Sequence, residues 1–214
     1  MPLVYERIEA TKQQRLNSTR AATQKLAATP HLFGERRYSN EGYIGLPRVS
    51  SENRRYIPIG FLDGEVAGDK LYVVLGGGLY HLGVLSSSMH NAFMRLTAGR
   101  MKSDYSYSNT IVYNNFPYPF DAKDEDNKTI KTKETIGSAA QAVLDARKHY
   151  QDGSEDAPTL AKLYNTYMID PYPELTKAHN ALDKAVDNAY GYKGKGDDAS
   201  RVEFLLKRIA EVLT

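Results

Sequence analysis

Cysteine is absent from the 214-residue chain. Disulfides, thiolate zinc sites and a cysteine nucleophile are therefore excluded, in keeping with a cytoplasmic protein. No run of about 18 apolar residues occurs, and Met1 does not open a secretion signal, so the sequence reads as soluble and cytoplasmic, with no membrane contact. Net charge is scarce as well: 28 Lys+Arg stand against 26 Asp+Glu, a balance that by itself says nothing about nucleic acid. Catalytic signatures are missing too. The Gly-x-Ser-x-Gly elbow, the Walker loop and His-Glu-x-x-His do not occur. Asp197 and Asp198 lie in a glycine-rich loop, and Asp170-Pro171-Tyr172 lacks one proline of the Asp-Pro-Pro-Tyr signature of amino-methyltransferases. His81 and His90 have no further ligands at suitable spacing, so no metal site is expected.

What is present is unevenly spread. Met1 to Pro119 carries 14 Lys+Arg against 9 Asp+Glu, ten of those cations being Arg, whereas Phe120 to Thr214 carries 14 against 17. An arginine-rich first half suits contacts to phosphate or bases, and an acidic second half suits packing or a partner. Hydrophobic residues make up 41% of the chain, enough for a real core in one large or two small domains.

Taken in order, Pro2 to Ile8 alternates enough to be a strand, and Met1 is either a native start or the cut end of a longer polypeptide. Thr19 to Ala28 reads as a helix stopped by Pro30. Arg36 and Arg37 follow in a charged loop, as phosphate contacts or as plain exposed residues. Tyr43 to Val49 and Arg55 to Phe61 read as a hairpin around Ser50 to Arg54, with Pro47 and Pro58 confining both to edge or broken strands. Arg48, Ser50, Ser51, Arg54 and Arg55 could there grip a phosphodiester, or could form a solvated turn. Lys70 to Leu75 and Leu79 to Leu85 read as strands across Gly76-Gly77-Gly78, an arrangement that lacks the helix a phosphate cradle needs. Ser86 to Ser88 caps a helix with Met89, Phe93 and Leu96 on one face and Gly99 just past its end.

That helix feeds Gly99-Arg-Met-Lys-Ser-Asp-Tyr-Ser-Tyr-Ser108, a polar, tyrosine-bearing ribbon suited to neither a core nor an ordinary turn. A short strand over Ile111 to Phe116 follows. Lys102 and Asp104, one residue apart, project to one side of an extended segment. A lysine donates to guanine and a carboxylate accepts from cytosine N4, so the pair could read one G·C pair in the major groove. Arg100, Ser103, Tyr105, Ser106, Tyr107 and Ser108 are expected as phosphate or base donors around it, with Arg100, Ser103, Tyr105 and Tyr107 on the DNA backbone. The plain alternative is an exposed Lys/Asp pair. Asp121 to Lys133 reads as a linker, dividing the chain at residue 120. Beyond it lie three or four helices, three of them marked by Ile136, Ala139, Ala140, Val143 and Leu144; by Leu175, Ala178, Leu182, Ala185, Val186 and Ala189; and by Val202, Leu205, Leu206, Ile209 and Leu213, the last capped by Ser200 with Glu203.

Five segments in order, Gly45 to Glu52, Tyr56 to Leu62, Leu79 to His90, Gly99 to Ser108 and Val112 to Pro119, resemble the target-recognition domain of MmeI-like Type IIL restriction-modification enzymes, a group of adenine-N6 DNA methyltransferases related to Type IIG. Ala142 to Arg147 and Lys177 to Asp187 resemble their helical tail. The resemblance implies an α+β fold: a mixed or antiparallel-sheet recognition domain over residues 1–120, then a small helical domain over 121–214. It implies that Lys102 and Asp104 read one base pair of double-stranded DNA, with Ser106 and the Gly76-Gly77 turn near another. Ser106 stands where many relatives have arginine, and Gly76-Gly77 where a polar side chain is common. It further implies, normally with a nuclease, an upstream methyltransferase domain of the same polypeptide or a partner subunit, with S-adenosylmethionine bound there and no cofactor in this chain, which alone neither cuts nor methylates. The alternatives are a protein-interaction module whose acidic helical half docks a partner subunit and whose tyrosine-rich face is an interface and, less well supported, a stand-alone methyltransferase.

Overall fold

Good helix formers fill the opening of the computed structural model, which describes residues 1–34, 42–120, 126–165 and 171–213. Helix α1 spans Pro2–Leu16 and α2 spans Ala21–Lys25, continued by a 3-10 turn over Leu26–Ala28. The strand expected at Pro2 to Ile8 is thus helix. Proline suits the first turn, where its missing N–H removes no bond, and Glu6, Arg7, Glu9, Lys12 and Gln13 outweigh a brief alternation. Arg15 donates to the carbonyls of Leu26, Thr29 and Leu32 at 2.8, 3.0 and 2.8 Å, folding this segment back on itself. Met1–Tyr38 forms one compact unit and Ser39–Thr214 another. Arg36, Arg37 and Asp170 lie outside the described residues.

In the larger unit, β1 (Tyr43–Pro47) lies between β3 (Gly60–Leu62) and β4 (Leu71–Leu75), antiparallel to both. The expected hairpin pairing is present as β1 with β3, but the intervening chain is no simple turn. It contributes β2 (Val49–Ser50) to a second sheet, ordered β2-β6-β5, with β5 at Gly99–Met101 and β6 at Asp104–Ser106. β1 is therefore central rather than an edge. Pro47 is tolerated because it ends the strand, opposite Leu71 and beyond the reach of β3.

Two further expected strands are helical. Helix α3 occupies Leu79–Ser86 and is buried from Leu82 to Ser86. Gly83 lets it approach α5 (Asn127–Tyr150): a Cβ there would stand 2.7 Å from Ile136 and 3.2 Å from Ala140. A helix buried all round shows no period. Ile111 belongs to a π-helical turn over Asn109–Tyr113, begun by Ser108, whose Oγ accepts from Ile111 N. Helix α4 (Ser88–Thr97) is capped by Ser87, with Met89 and Phe93 buried, but Leu96 is 53% exposed. The linker ends by Asp126, which caps α5.

Helices α6 (Leu160–Leu163), α7 (Pro173–Tyr190) and α8 (Asp198–Leu213) complete the unit. The expected apolar stripes of α5 and α7 pack as read, while on α8 Leu205 is buried and Leu206 is 48% exposed. The α8 cap is Asp197, which accepts from Ser200 N at 2.7 Å, and Glu203 instead pairs with Lys207. One core runs through Ile44, Ile59, Leu82, Phe93, Ile136, Leu182 and Leu205.

Polar links cross the same core. Asp183 of α7, 6% exposed, accepts from Ser88 N and Oγ at 2.7 and 2.6 Å and from the Tyr56 hydroxyl at 2.8 Å. Burial, and then the carboxylate itself, push the Tyr56 pKa up and keep that hydroxyl a donor. Arg147 of α5, 4% exposed, donates to the carbonyl of Ile59 and to Tyr164, whose hydroxyl meets His179. Removing one acceptor of three buried donors is costly, so Asp183→Ala should lower stability by about 3 kcal/mol or more in urea unfolding. Asp145→Ala, on the exposed side of α5, should stay within about 0.5 kcal/mol.

Candidate nucleic-acid interface

The ribbon from Gly99 to Ser108 is not one extended segment. Gly99 pairs with Ser106, Arg100 with Tyr105 and Met101 with Asp104, leaving Lys102 and Ser103 as a two-residue turn. Helix α4 ends at Ala98 in extended conformation, so Gly99 starts a strand directly instead of closing the helix in a left-handed turn. Lys102 has φ 58, alone among the described non-glycine residues in being positive. That conformation brings Cβ against the backbone and costs roughly 1–2 kcal/mol in an L residue. The side chain is exposed at the tip, while Asp104 is half-buried and accepts from Glu52 N at 3.3 Å.

Alternation along β6 sorts the rest. Asp104, Ser106 and Ser108 are partly exposed; Tyr105 and Tyr107 are buried at 8% and 4%. Backbone contacts expected of Tyr105 and Tyr107 are therefore corrected. The Tyr107 hydroxyl is 3.0 Å from His90 Nε2, and the Tyr105 ring lies under the Arg100 guanidinium at 3.9 Å. Both rings hold the hairpin to its base. Arg100 also donates to the Ser103 carbonyl at 2.7 Å, closing the turn, and lies 3.9 Å from Glu52.

Among the other expected contacts, Arg48 is exposed, donates to the Asp69 carbonyl at 3.0 Å and stacks over Tyr72. Its backbone joins the two sheets, donating to the Lys70 carbonyl and accepting from Tyr107 N. Ser50 is 4% exposed and cannot reach a ligand, because its place in β2 turns the side chain inward. Ser51 Oγ caps the local turn by accepting from Asn53 N. Arg54 is half-buried, and Arg55 turns instead toward α7, donating to Asn180 Oδ1 at 3.4 Å. Gly76 and Gly77 lie on the loop from β4 to α3, so a helix does follow the glycines, contrary to the expected hairpin. Its first turn is closed by its own residues, Gly78 N donating to His81 Nδ1 at 3.2 Å. Gly76 has φ 66, and a Cβ on Gly77 would stand 2.7 Å from Ile44 Cδ1.

Arg95 is a link that sequence reasoning missed. From α4 it donates to the carbonyls of Arg54 and Arg55 and to Asp198 at 2.7 Å. The 50–55 loop, the approach to the hairpin and the start of α8 thus converge at one cation. Asp183 was missed as well, although a carboxylate beside Leu182 on an apolar helix face was a readable signal.

His90 ties this region to pH. It is fully buried, with Nδ1 2.8 Å from the Leu85 carbonyl. Burial pushes its pKa down to about 4, the Leu85 bond opposing, from an ordinary 6.5. Between those values the unfolded chain takes up a proton and the native chain does not. Stability is therefore complete above pH 6.5 and is lost as pH falls toward 4, by about 2–3 kcal/mol. Urea titrations at pH 7 and 4.5 should show that loss, and His90→Gln should reduce it, with the buried His179, whose pKa burial also pushes well down, supplying a further part.

Three comparisons bear on this arrangement. Residues 1–120 match the family described as MmeI, target recognition domain, and residues 128–214 match MmeI, C-terminal domain. DNA methyltransferase A of Bacillus subtilis (strain 168) is 38% identical over 212 residues, covering 99% of this chain and 22% of that protein. The structure of the Type IIL restriction-modification enzyme MmeI in complex with DNA superposes on the whole chain with a TM-score of 0.86 and 37% identity, over 27% of its own chain. The present chain thus spans less than a third of either relative, 22% of one and 27% of the other.

Proposed function

The chain belongs to the MmeI family, through its target-recognition and C-terminal domains, and on that premise we propose that it recognises a specific sequence in duplex DNA and directs a DNA methyltransferase to it. The observation that supports this most is the full-length likeness to MmeI, solved in complex with DNA. The activity belongs to a larger polypeptide, since these domains make up 22% of the methyltransferase relative. S-adenosylmethionine is accordingly assigned to a methyltransferase domain elsewhere in that polypeptide, with adenine N6 as the methylated atom and the cytoplasm as the compartment. The division near residue 120 into recognition and helical domains is part of the proposal, with the two sharing one core.

Within this reading, Lys102 at the turn and Asp104 at the start of β6 meet the edge of one base pair, lysine donating to guanine and carboxylate accepting from cytosine. Ser106 shares the outer face of β6 with Asp104. Gly76 and Gly77 offer only backbone toward a second base pair. Arg48, Ser51, Arg54, Arg100 and Ser103 supply contacts to phosphate and sugar, which set register without reading sequence.

Lys102→Gly separates recognition from folding. Glycine accepts the left-handed turn, so stability should hold or rise by up to about 1 kcal/mol. The base pair preferred at one position should change in competition against a randomised duplex pool. An unaltered preference would reject the base-reading role of Lys102. Arg48→Ala, by contrast, should weaken binding to all sequences alike and lower the slope of log affinity against log salt by about 0.9. A slope equal to that of the wild type would remove Arg48 from the phosphate contacts.

A further inference from the structure

The acidic balance of the second half does not extend to the outer face of α7. Lys177, Asn180, Ala181, Lys184 and Asn188 are exposed. At 3.6 residues per turn they fall within about 100° of one another, in a stripe about 16 Å long. The acids of this helix are held elsewhere. Asp183 is buried, Asp187 pairs with Arg201 at 2.8 Å, and Glu174 in the first turn accepts from the Tyr150 hydroxyl.

The stripe continues at both margins. Arg55 reaches it from the sheet side; its bond to Asn180 Oδ1 leaves the amide nitrogen of Asn180 to donate outward. At the end of α7, Gly191 turns the chain with φ 66 into exposed Lys193 and Lys195. That loop is pinned from beneath, Arg201 holding Asp187 and the Gly196 carbonyl while the Tyr192 hydroxyl meets Ser200. The two following acids are committed, Asp197 to capping α8 and Asp198 to Arg95. Arg95 joins this end of α8 to the 54–55 backbone, one helical turn before α4 delivers the hairpin. The exposed lysines and asparagines of α7 form a row of ammonium and amide donors, and the nearest carboxylates are partnered, Asp183 lying 3.7 Å from Arg55; such a row suits a polyanionic backbone and no particular base sequence.

We propose that the outer face of α7 and the Gly191–Gly196 loop form a second contact to the phosphodiester backbone of duplex DNA, independent of sequence. It rests on the reading of the chain as a DNA-recognition protein. Fluorescence anisotropy of a mixed-sequence duplex with the 214-residue chain, at salt from about 50 to 200 mM, tests it. Combined Lys177→Gln, Lys184→Gln and Lys193→Gln should weaken binding to every duplex alike. The salt slope should fall by about 0.9 for each phosphate given up, about 2–3 in all, with the preferred sequence and thermal midpoint as in the wild type. Lys128→Gln, Lys131→Gln and Lys148→Gln on α5, with the same change of charge, should leave the slope in place. A wild-type slope in the α7 variant, with Arg48→Ala still lowering it, overturns this inference alone, as does an equal loss in the α5 variant. Displacement of the duplex by polyglutamate at equal charge does the same. A wild-type chain with no affinity for any duplex overturns both readings.

Discussion

A carboxylate removed from water must be surrounded by donors or it destabilises the fold it sits in. Asp183 meets that condition through three hydrogen bonds from residues more than ninety positions earlier, Ser88 and Tyr56. One of these donors is a backbone N–H at the start of α4, a place where negative charge is favoured by the helix dipole. The sheet side and the helical side are therefore registered by a directional contact and not by apolar packing alone. Arg147 repeats the device from α5, binding the Ile59 carbonyl. Everything at the hairpin depends on α4 being held at this orientation.

From that fixed helix the hairpin is built as a two-faced object. Its inner face is aromatic: Tyr105 under Arg100, and Tyr107 against His90, which itself packs edge-on to Phe116 at 4.9 Å. Its outer face carries Met101, 57% exposed, beside the partly exposed Asp104 and Ser106. Arg95 brings the neighbouring loop and the start of α8 to the same end of α4.

Much of this was legible in the sequence where a pattern had a solvent side. Helices α5 and α7 show their period because half of each faces water, and α8 showed it too, save that Leu206 stays exposed. Helix α3 was unreadable for the opposite reason: with Leu82 to Ser86 all buried, it offers an apolar run that fits strand or helix equally. The split of Tyr43 to Ser50 between two sheets could not be seen locally, since β2 is defined by its partner β6, far along the chain. The turn at Lys102 and Ser103 carries neither glycine nor asparagine, so the usual hairpin signal was absent. The alternation of Asp104, Ser106 and Ser108 with Tyr105 and Tyr107 was in plain view, yet all were assigned to the ligand. Two of them belong to the core.

That division of labour within one short strand bears on how the surface can change over evolutionary time. Residues 105 and 107 are committed to the interior, whereas 102 is exposed and 104 and 106 are partly exposed. Drift at the even-numbered positions can rewrite the chemistry displayed while leaving the scaffold untouched. A fold wired in this manner separates mutational freedom from structural integrity at the spacing of a single residue.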